Sequence, residues 1–344
     1  MEERKEHDIM TTIRDQAAVL MPHLAGYTAH RTIAIGIRQG LIRALAETPS
    51  GLTADKLAAD LELDPFYVAT WCRAAYGAQV CDRQGETYWL EPHMATLLLD
   101  TTSPAYVGGV FTVLEQDEMF GRFERVLASG ERLWWDGCDP GFIAGVAGTG
   151  TPFYTRLIPA GLDQIPGLAE RLSAGCRILE TACGSGRGLL RLAGAYPACE
   201  LTGVDGDAHS VANAAKLLGA EGVRAELVTS PLETMAPGEG FTLVLNNISM
   251  HECRDIDEVT RRSMDALESG GWFVISDFPF PASDAGLREV PGRIMSGIQF
   301  FEAQIGDQLL PREAYDELLA RHGFTELGWF QLTPMHAVTY GRKP

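Results

Sequence analysis

The sequence predicts an α/β fold, in which a mostly parallel sheet with an antiparallel edge follows a smaller, mainly helical domain. From residue 176 onward, short β-rich runs alternate with helical stretches, as βαβ units require. Two runs near the end flank Thr333 and Pro334 and are typical of an antiparallel pair at a sheet edge. Residues 1–100 lack this alternation and show helical patterns followed by one hairpin.

Length and composition indicate two domains that fold along their whole length. The 344 residues exceed one ordinary compact domain, and 46% hydrophobic with 22% charged residues is typical of globular proteins. We divide the chain into a mainly α winged-helix domain at 1–100, a helical connector at 101–170 and an α/β domain at 171–344. Aromatic residues are frequent in the connector, which makes it a candidate wall of a ligand pocket.

The elements of the first domain follow in the order of a winged helix. Apolar positions in 33–45 predict a helix that ends before the turn formers Pro49 to Gly51. Thr53 is a candidate N-cap for the next helix, and Asp64 with Pro65 opens a third. The stretch 79–90 alternates around Gln84-Gly85-Glu86, as a two-stranded wing does.

Charge argues against nucleic acid as a partner, although a winged helix can read DNA. The chain carries a net charge of -18, and Arg73 is the one basic side chain within 64–80. Affinity for a phosphate backbone comes mainly from Lys and Arg, so packing and dimerisation is the better interpretation of this domain. Met10 to Leu24 and the helix around Arg31 to Leu45 supply apolar faces for a homodimer.

The cellular setting follows from what the sequence lacks. It has no run of 18 uncharged apolar residues, and its start, MEERKEHDIM, is charged where a signal peptide is apolar, so we expect a cytoplasmic protein with no membrane partner. The seven cysteines are odd in number and form no CxxC pair, which indicates neither a disulfide framework nor a cysteine zinc site.

The α/β domain carries its strongest signal in the segment ILETACGSGRG at 178–188. Glycines at 184, 186 and 188 follow an apolar strand and remove β-carbons, so that backbone amides can approach a ligand at the carboxyl end of that strand. Asp205 ends the second strand, where it can accept hydrogen bonds from two ribose hydroxyls. The predicted strands are 177–180, 201–205, 225–229, 242–246 and 272–276, with 327–332 and 336–340 as the edge pair.

A nicotinamide or flavin domain is the alternative for this glycine-rich turn. Its fingerprint G-x-G-x-x-G, begun at Gly184, requires glycine at position 189, where this chain has Leu189. Glu180 would repel a pyrophosphate but can take the ammonium of an amino-acid moiety.

The motifs ILETACGSGRG, GVD at 203–205 and GGWFVISDFPFP resemble those of class I S-adenosylmethionine-dependent methyltransferases. With the winged-helix front half, nearly the whole chain resembles the two-domain small-molecule O-methyltransferases. The resemblance implies a Rossmann-like domain, S-adenosylmethionine as cofactor, a connector that lines the substrate pocket, and a dimer. It also implies methylation of a hydroxyl on an aromatic or polyketide-like natural product of secondary metabolism, with a carbon or nitrogen acceptor as the alternative.

The predicted cofactor-binding residues show two departures from this family. Alanine stands at position 182, where glycine is usual, and Ser230 in VTSPLE stands where an acid near the adenine is usual. The complete predicted set is Glu180, Ala182, Gly184, Gly186, Gly188, Asp205, Ser230 and Asn246.

Catalysis by general acid–base chemistry is assigned to residues after the fourth strand. His251 followed by Glu252 is similar to the family's catalytic base, and Glu302 is a candidate to orient the imidazole or the substrate. We assign no metal site. Metal-assisted C-methylation of a 2-oxo acid, with His251 and Glu302 as a weak ligand pair and His336 as a further candidate, is left open. A ligand-sensing winged-helix regulator is the alternative from another class, although it needs a basic recognition helix that is missing.

Overall fold

The computed structural model describes residues 11–344 and divides them into two compact units. The first comprises residues 11–100 and 105–115, and the second comprises residues 101–104 and 116–344. Met10 and the acidic start of the chain lie outside the described residues.

The first unit is mainly helical, and local capping explains where its helices begin. Thr12 caps the first helix by accepting a hydrogen bond from the Asp15 amide, Thr53 caps the third through Lys56, and the Asp64 carboxylate caps the fourth. Both predicted caps are therefore confirmed. The helices are α1 (Ile13–Arg38), α2 (Leu41–Glu47), α3 (Ala54–Asp60), α4 (Pro65–Gly77), α5 (Met94–Leu98) and α6 (Gly108–Val113).

The helix predicted over 33–45 is divided into two in the structure. Helix α1 ends at Arg38 and α2 begins at Leu41, because Gly40 adopts φ +74° and so leaves the right-handed helical region. The predicted wing forms as a hairpin of β2 (Cys81–Gln84) and β3 (Thr87–Leu90), and β1 (Leu52–Thr53) pairs with the outer side of β3.

The second unit is built on a seven-stranded sheet in the order β6-β5-β4-β7-β8-β10-β9. Strands β4 to β8 run parallel, and the pair β9 and β10 forms the antiparallel edge that the sequence predicted. The strands are β4 (Arg177–Thr181), β5 (Glu200–Asp205), β6 (Glu226–Thr229), β7 (Phe241–Asn247), β8 (Leu267–Asp277), β9 (Thr325–Thr333) and β10 (His336–Arg342). Each contains most of the corresponding predicted run.

Helices accompany this sheet. They are α7 (Gly121–Val126), α8 (Pro140–Arg156), α9 (Leu168–Ala174), α10 (Arg187–Ala195), α11 (Ala208–Ala220), α12 (Ile256–Ala266), α13 (Asp284–Arg288), α14 (Val290–Ile305) and α15 (Arg312–Arg321). Short turns of other helical type span Trp135–Gly137, Leu157–Gly161, Leu162–Gln164, Leu232–Thr234 and Met250–Glu252. The predicted Rossmann-like architecture is confirmed.

Alternation along the strands gives the sheet two apolar faces. Ile178, Leu243 and Val274 belong to one core, and Leu179 and Val244 belong to the other. Because successive side chains of a strand point to opposite faces, neighbouring polar residues at the carboxyl ends of the strands also lie on opposite faces of the sheet. Among residues 11–344, none of the helices has the length and the apolar run that a membrane crossing needs.

Candidate active site

The glycine-rich turn after β4 adopts backbone conformations that few side chains tolerate. Gly184 and Gly186 have φ +51° and +80°, and Ala182 has φ +54°. A β-carbon at Gly184 would meet open space, whereas one at Gly186 would lie 2.9 Å from the Ala214 β-carbon of α11. Gly186 therefore permits helix packing, and Gly184 leaves room for a ligand beside the turn.

Gly188 and Glu180 form a second part of this turn. A β-carbon at Gly188 would lie 2.0 Å from Glu180 Oε1, so glycine is needed to admit the carboxylate. Glu180 is fully buried, and neither of its oxygens makes a hydrogen bond of ordinary length and angle with the described side chains and backbone. Burial raises the pKa of the Glu180 carboxyl to about 8, a rise that the Tyr154 hydroxyl opposes. A buried acceptor without a partner fits the ammonium of a bound amino-acid moiety.

Asp205 holds the turn through its carboxylate. Oδ2 accepts a hydrogen bond from the Gly184 amide, and Oδ1 accepts one from the Asp207 amide, both at 2.8 Å. Burial raises the pKa of Asp205 against these two hydrogen bonds, which lower it. Each oxygen retains a lone pair that can accept a ribose hydroxyl. Ser230 follows β6, and its exposed hydroxyl bonds to the Pro231 carbonyl at 3.0 Å.

The two asparagines that end β7 point to opposite faces of the sheet. Asn246 is fully buried and donates to Thr181 Oγ1 at 3.0 Å, and its own Oδ1 has no partner among the described residues. Asn247 shares the face of Glu180, and Ser276 Oγ donates to its Oδ1 at 2.7 Å. Sequence analysis named Asn246 for the cofactor and did not name Asn247.

His251 lies on the short turn after β7 and is held by a carboxylate from the neighbouring strand. Its ring is buried, and Nδ1 lies 2.8 Å from Asp277 Oδ2. The same oxygen accepts the Tyr315 hydroxyl at 2.6 Å, and Asp277 Oδ1 accepts the Phe278 amide at 2.7 Å. The orientation of the ring is thus fixed from the Nδ1 side, and Nε2 is left for chemistry.

Glu252 and Glu302 approach the other ring nitrogen of His251. Glu302 Oε2 lies 3.8 Å and Glu252 Oε1 lies 4.0 Å from Nε2, which are too far for direct hydrogen bonds. Glu302 is buried and not an ordinary surface acid, and its Oε2 makes no hydrogen bond of ordinary length and angle with the described residues. The structure therefore brings the three predicted catalytic residues together.

The charge around His251 is strongly negative. Burial by itself lowers the pKa of the imidazole, but the Asp277 and Glu302 carboxylates outweigh it and raise that pKa well above its ordinary value. Burial and the Glu302 charge raise the pKa of Glu252, and they raise that of Asp307 to about 6. The site stabilises a positive charge at this position, either on the imidazole or on a bound cation.

Two other predicted or prominent features lie outside this cluster. His336 is fully buried, and both of its ring nitrogens are bonded, one to Ser276 and one to Arg156. A surface hollow of about 570 Å³ lies at the amino-terminal ends of β4 to β6, away from the predicted site residues.

Sequence analysis did not name Asp277 and Tyr315, which orient His251. Asp277 could have been found as the acid that follows the predicted strand 272–276 in ISDF, the next strand along the chain after the one that precedes the histidine. Tyr315 offered no signal, because its hydroxyl reaches Asp277 from a helix 38 residues further along the chain.

Comparison with known proteins agrees with the class of enzyme that the sequence predicts. Residues 178–271 match the family of methyltransferase domains, which confirms the predicted class of enzyme. No curated protein matches the sequence.

The similarity to solved structures of the same fold covers nearly the whole chain. PigF, solved with S-adenosylhomocysteine, has 17% identity and a TM-score of 0.74, with 97% of this chain and 100% of that chain covered. The mitomycin 7-O-methyltransferase MmcR has 17% identity and a TM-score of 0.73, with 95% and 98% covered. Human N-acetylserotonin methyltransferase in complex with S-adenosylmethionine has 15% identity and a TM-score of 0.68, with 97% and 99% covered. These likenesses confirm the predicted two-domain fold.

Proposed function

We propose that this protein transfers the methyl group of S-adenosylmethionine to a hydroxyl of an aromatic or polyketide-like small molecule, with His251 as general base. One observation carries the catalytic part: Asp277 holds Nδ1 of His251 at 2.8 Å, while the Glu302 and Glu252 carboxylates stand 3.8 Å and 4.0 Å from Nε2. A histidine oriented in this way can accept a proton at Nε2.

The cofactor supplies an electrophilic methyl group when it is bound. The residues that would bind it are those of the glycine-rich turn, with the Glu180 carboxylate for the ammonium and the Asp205 carboxylate for the ribose. Ser230 and Asn246 remain proposed contacts, the former near the adenine.

The protein's own task in catalysis is to position the acceptor and to take its proton. As the acceptor oxygen forms its bond to the methyl carbon, its proton passes to Nε2 of His251. The imidazolium that results is stabilised by the Asp277 and Glu302 carboxylates, whose effect on the imidazole pKa is already present in the protein. Glu252, partly buried beside the same nitrogen, adds to this field.

Aromatic side chains near the catalytic residues support an aromatic acceptor. The ring of Phe278 lies 6.2 Å from that of His251. In the connector, Trp135 and Phe142 pack against Phe301, which precedes Glu302 in α14, at 5.3 and 4.8 Å between ring centroids. MmcR and the human enzyme act, by their names, on mitomycin and on N-acetylserotonin.

The test is His251→Ala, assayed for binding and turnover separately. We expect unchanged S-adenosylmethionine affinity by calorimetry and a loss of turnover of about 10²- to 10⁴-fold with an acceptor found by screening with labelled methyl groups. His322→Asn is the matched control, since His322 pairs with the surface residue Asp257 at 2.7 Å. Normal turnover of His251→Ala would remove this residue from the mechanism.

Metal-assisted methylation of carbon in a 2-oxo acid is a second candidate, and one observation favours it. Ligand atoms of His251, Glu252 and Glu302 all lie within 4.8 Å of one another, and Asp277 supplies the outer hydrogen bond that metal-binding histidines usually have. Metal analysis and chelation distinguish the candidates. One bound divalent ion per chain with loss of turnover on its removal would support the second, and full turnover after chelation would support the first.

We also propose that the protein is a homodimer joined through its first unit. Helix α1 exposes Val19, Leu20, Met21, Leu24 and Tyr27, each more than half accessible. Such a large exposed apolar stripe is typical of an interface between subunits. A single monomeric species in sedimentation at micromolar concentration would contradict this.

A further inference from the structure

A chain of buried hydrogen bonds connects Arg156 at the end of α8 to Asn247 at the carboxyl end of β7. Arg156 Nε lies 3.0 Å from His336 Nδ1, and His336 Nε2 lies 2.7 Å from Ser276 Oγ. Ser276 Oγ in turn lies 2.7 Å from Asn247 Oδ1. His336 and Ser276 are fully buried, and Asn247 is 4% exposed, so water does not replace these contacts.

The direction of each hydrogen bond in this chain is determined by the guanidinium. Arginine can only donate, so Nδ1 of His336 must accept, and the ring proton must be on Nε2. That proton goes to Ser276 Oγ, which leaves the single hydroxyl hydrogen of Ser276 for Asn247. The atom of Asn247 that faces Ser276 must therefore be Oδ1.

His336 keeps this neutral, directional form because of its surroundings. Burial and the Arg156 charge lower its imidazole pKa well below the ordinary value. The ring also packs against Phe153, with centroids 4.4 Å apart, and the Arg156 guanidinium lies over the same phenyl ring at 4.8 Å from its centroid. Arg156 is anchored in addition by the Pro104 carbonyl at 2.8 Å.

The consequence is a defined hydrogen-bond donor at the predicted cofactor site. Nδ2 of Asn247 points away from Ser276, is buried, and makes no hydrogen bond of ordinary length and angle with the described residues. Its amide interacts with the hydroxyl of Tyr154, which also interacts with the Glu180 carboxylate. A donor and a carboxylate are thus presented near one tyrosine, a pair that suits the carboxylate and the ammonium of an α-amino acid.

We propose that Arg156, through His336 and Ser276, orients the Asn247 amide so that Nδ2 binds the carboxylate of the methionine part of S-adenosylmethionine. Arg156 and His336 are then positioning residues, and Asn247 is a binding residue. This inference rests on the proposed cofactor.

Arg156→Met tests the inference, because methionine retains much of the packing but cannot donate. Without the guanidinium, Nδ1 of His336 can carry the proton, Nε2 can accept from Ser276, and the Asn247 amide is free to turn its oxygen toward the carboxylate. Calorimetry should show at least a tenfold loss of affinity for S-adenosylmethionine and little change for its decarboxylated analogue. A general loss of structure would instead lower the affinity for both ligands by the same factor.

Arg191→Met is the matched control. It removes the same charge from a partly buried arginine that donates to the Ile158 carbonyl at 2.9 Å, outside the hydrogen-bond chain. In Arg191→Met, the ratio of the affinities for S-adenosylmethionine and its decarboxylated analogue should equal the ratio in the unmodified protein. Ser276→Ala breaks the chain in the middle and provides a second variant if Arg156→Met does not fold.

The ligand pair separates the possible failures. If the unmodified protein binds neither ligand, the proposed cofactor is wrong. The decisive quantity is the affinity for S-adenosylmethionine divided by the affinity for the decarboxylated analogue. If the unmodified protein binds S-adenosylmethionine and this ratio is unchanged in Arg156→Met and Ser276→Ala, the orienting role of the hydrogen-bond chain is overturned. A ratio that falls about tenfold in both variants, and not in Arg191→Met, supports that role.

Discussion

Gly188→Ala is the substitution that tests the cofactor site most directly. Gly188 lies in the first turn of α10, and an added β-carbon would lie 2.0 Å from Glu180 Oε1 and 2.4 Å from Tyr154 Cε1. Glu180 is fully buried and Tyr154 is partly buried, so the carboxylate cannot move into solvent to relieve the contact. The methyl group must displace the carboxylate that we assign to the ammonium of the cofactor.

The expected size of the effect follows from these contacts. Inserting a methylene or methyl group into a packed interior costs about 1–3 kcal/mol of unfolding free energy. For a domain of this size that lowers Tm by roughly 2–4 °C per kcal/mol. Loss of a hydrogen bond to a charged group costs about 1.5–3 kcal/mol, which weakens S-adenosylmethionine binding by about 10- to 150-fold.

Gly194→Ala in the same helix is the control. An added β-carbon at Gly194 meets no atom within 4 Å, so alanine should raise stability by up to about 1 kcal/mol through its higher helix propensity, with unchanged affinity. Thermal denaturation and calorimetric titration of both variants measure the two quantities. Wild-type affinity and wild-type Tm in Gly188→Ala would show that Glu180 is not held against this position, and our account of the site would fail.

Three further predictions concern other residues. Glu302→Gln removes a carboxylate that raises the pKa of the His251 imidazole. The pH at which His251 loses its proton should therefore fall, and the rise of kcat/KM with pH should move to lower pH. An unchanged pH profile would show that Glu302 does not act on the base. Ala182→Gly should raise Tm because alanine is strained at φ +54°, whereas Ala193→Gly in α10 should lower it. Asp257→Asn should cost less than about 1 kcal/mol at pH 7, since Asp257 and its partner Arg321 are half-exposed. Hydrogen bonds from Arg321 and His322 lower the pKa of Asp257 to about 2, so this contribution is present above its unfolded pKa and is lost as pH falls toward 2.

The sheet could be predicted from sequence because its signals are local. Five apolar runs of four or five residues, each followed by a helical stretch, predict a parallel sheet, and the pair around Thr333 and Pro334 predicts its antiparallel edge. The caps at Thr53 and Asp64 are equally local. The break at Gly40 was missed because glycine is tolerated inside helical patterns, and only the positive φ shows that it ends α1.

The site was predicted in part, for the same physical reason. His251 and the glycines follow strand ends, which meet at one edge of the sheet whatever the details of packing. The partners that give these residues their properties come from far along the chain: Arg156 and His336 are 180 positions apart, and Tyr315 is 38 positions from Asp277. No local pattern reports such pairs, and burial of Glu302 depends on how α14 packs.

The two asparagines at 246 and 247 show how register decides what neighbouring residues do. In the parallel sheet Glu180 pairs with Leu245, and Asn247 pairs with Ser276, so these polar side chains share one face. Asn246 pairs with Thr181 and faces the other side, the side of Asp277. A shift of one position would exchange the two sets and separate Ser276 from the amide that it orients. Strand pairing therefore places Glu180 and Asn247, which we propose for the cofactor, on one face of the sheet, and Asp277, which holds His251, on the other.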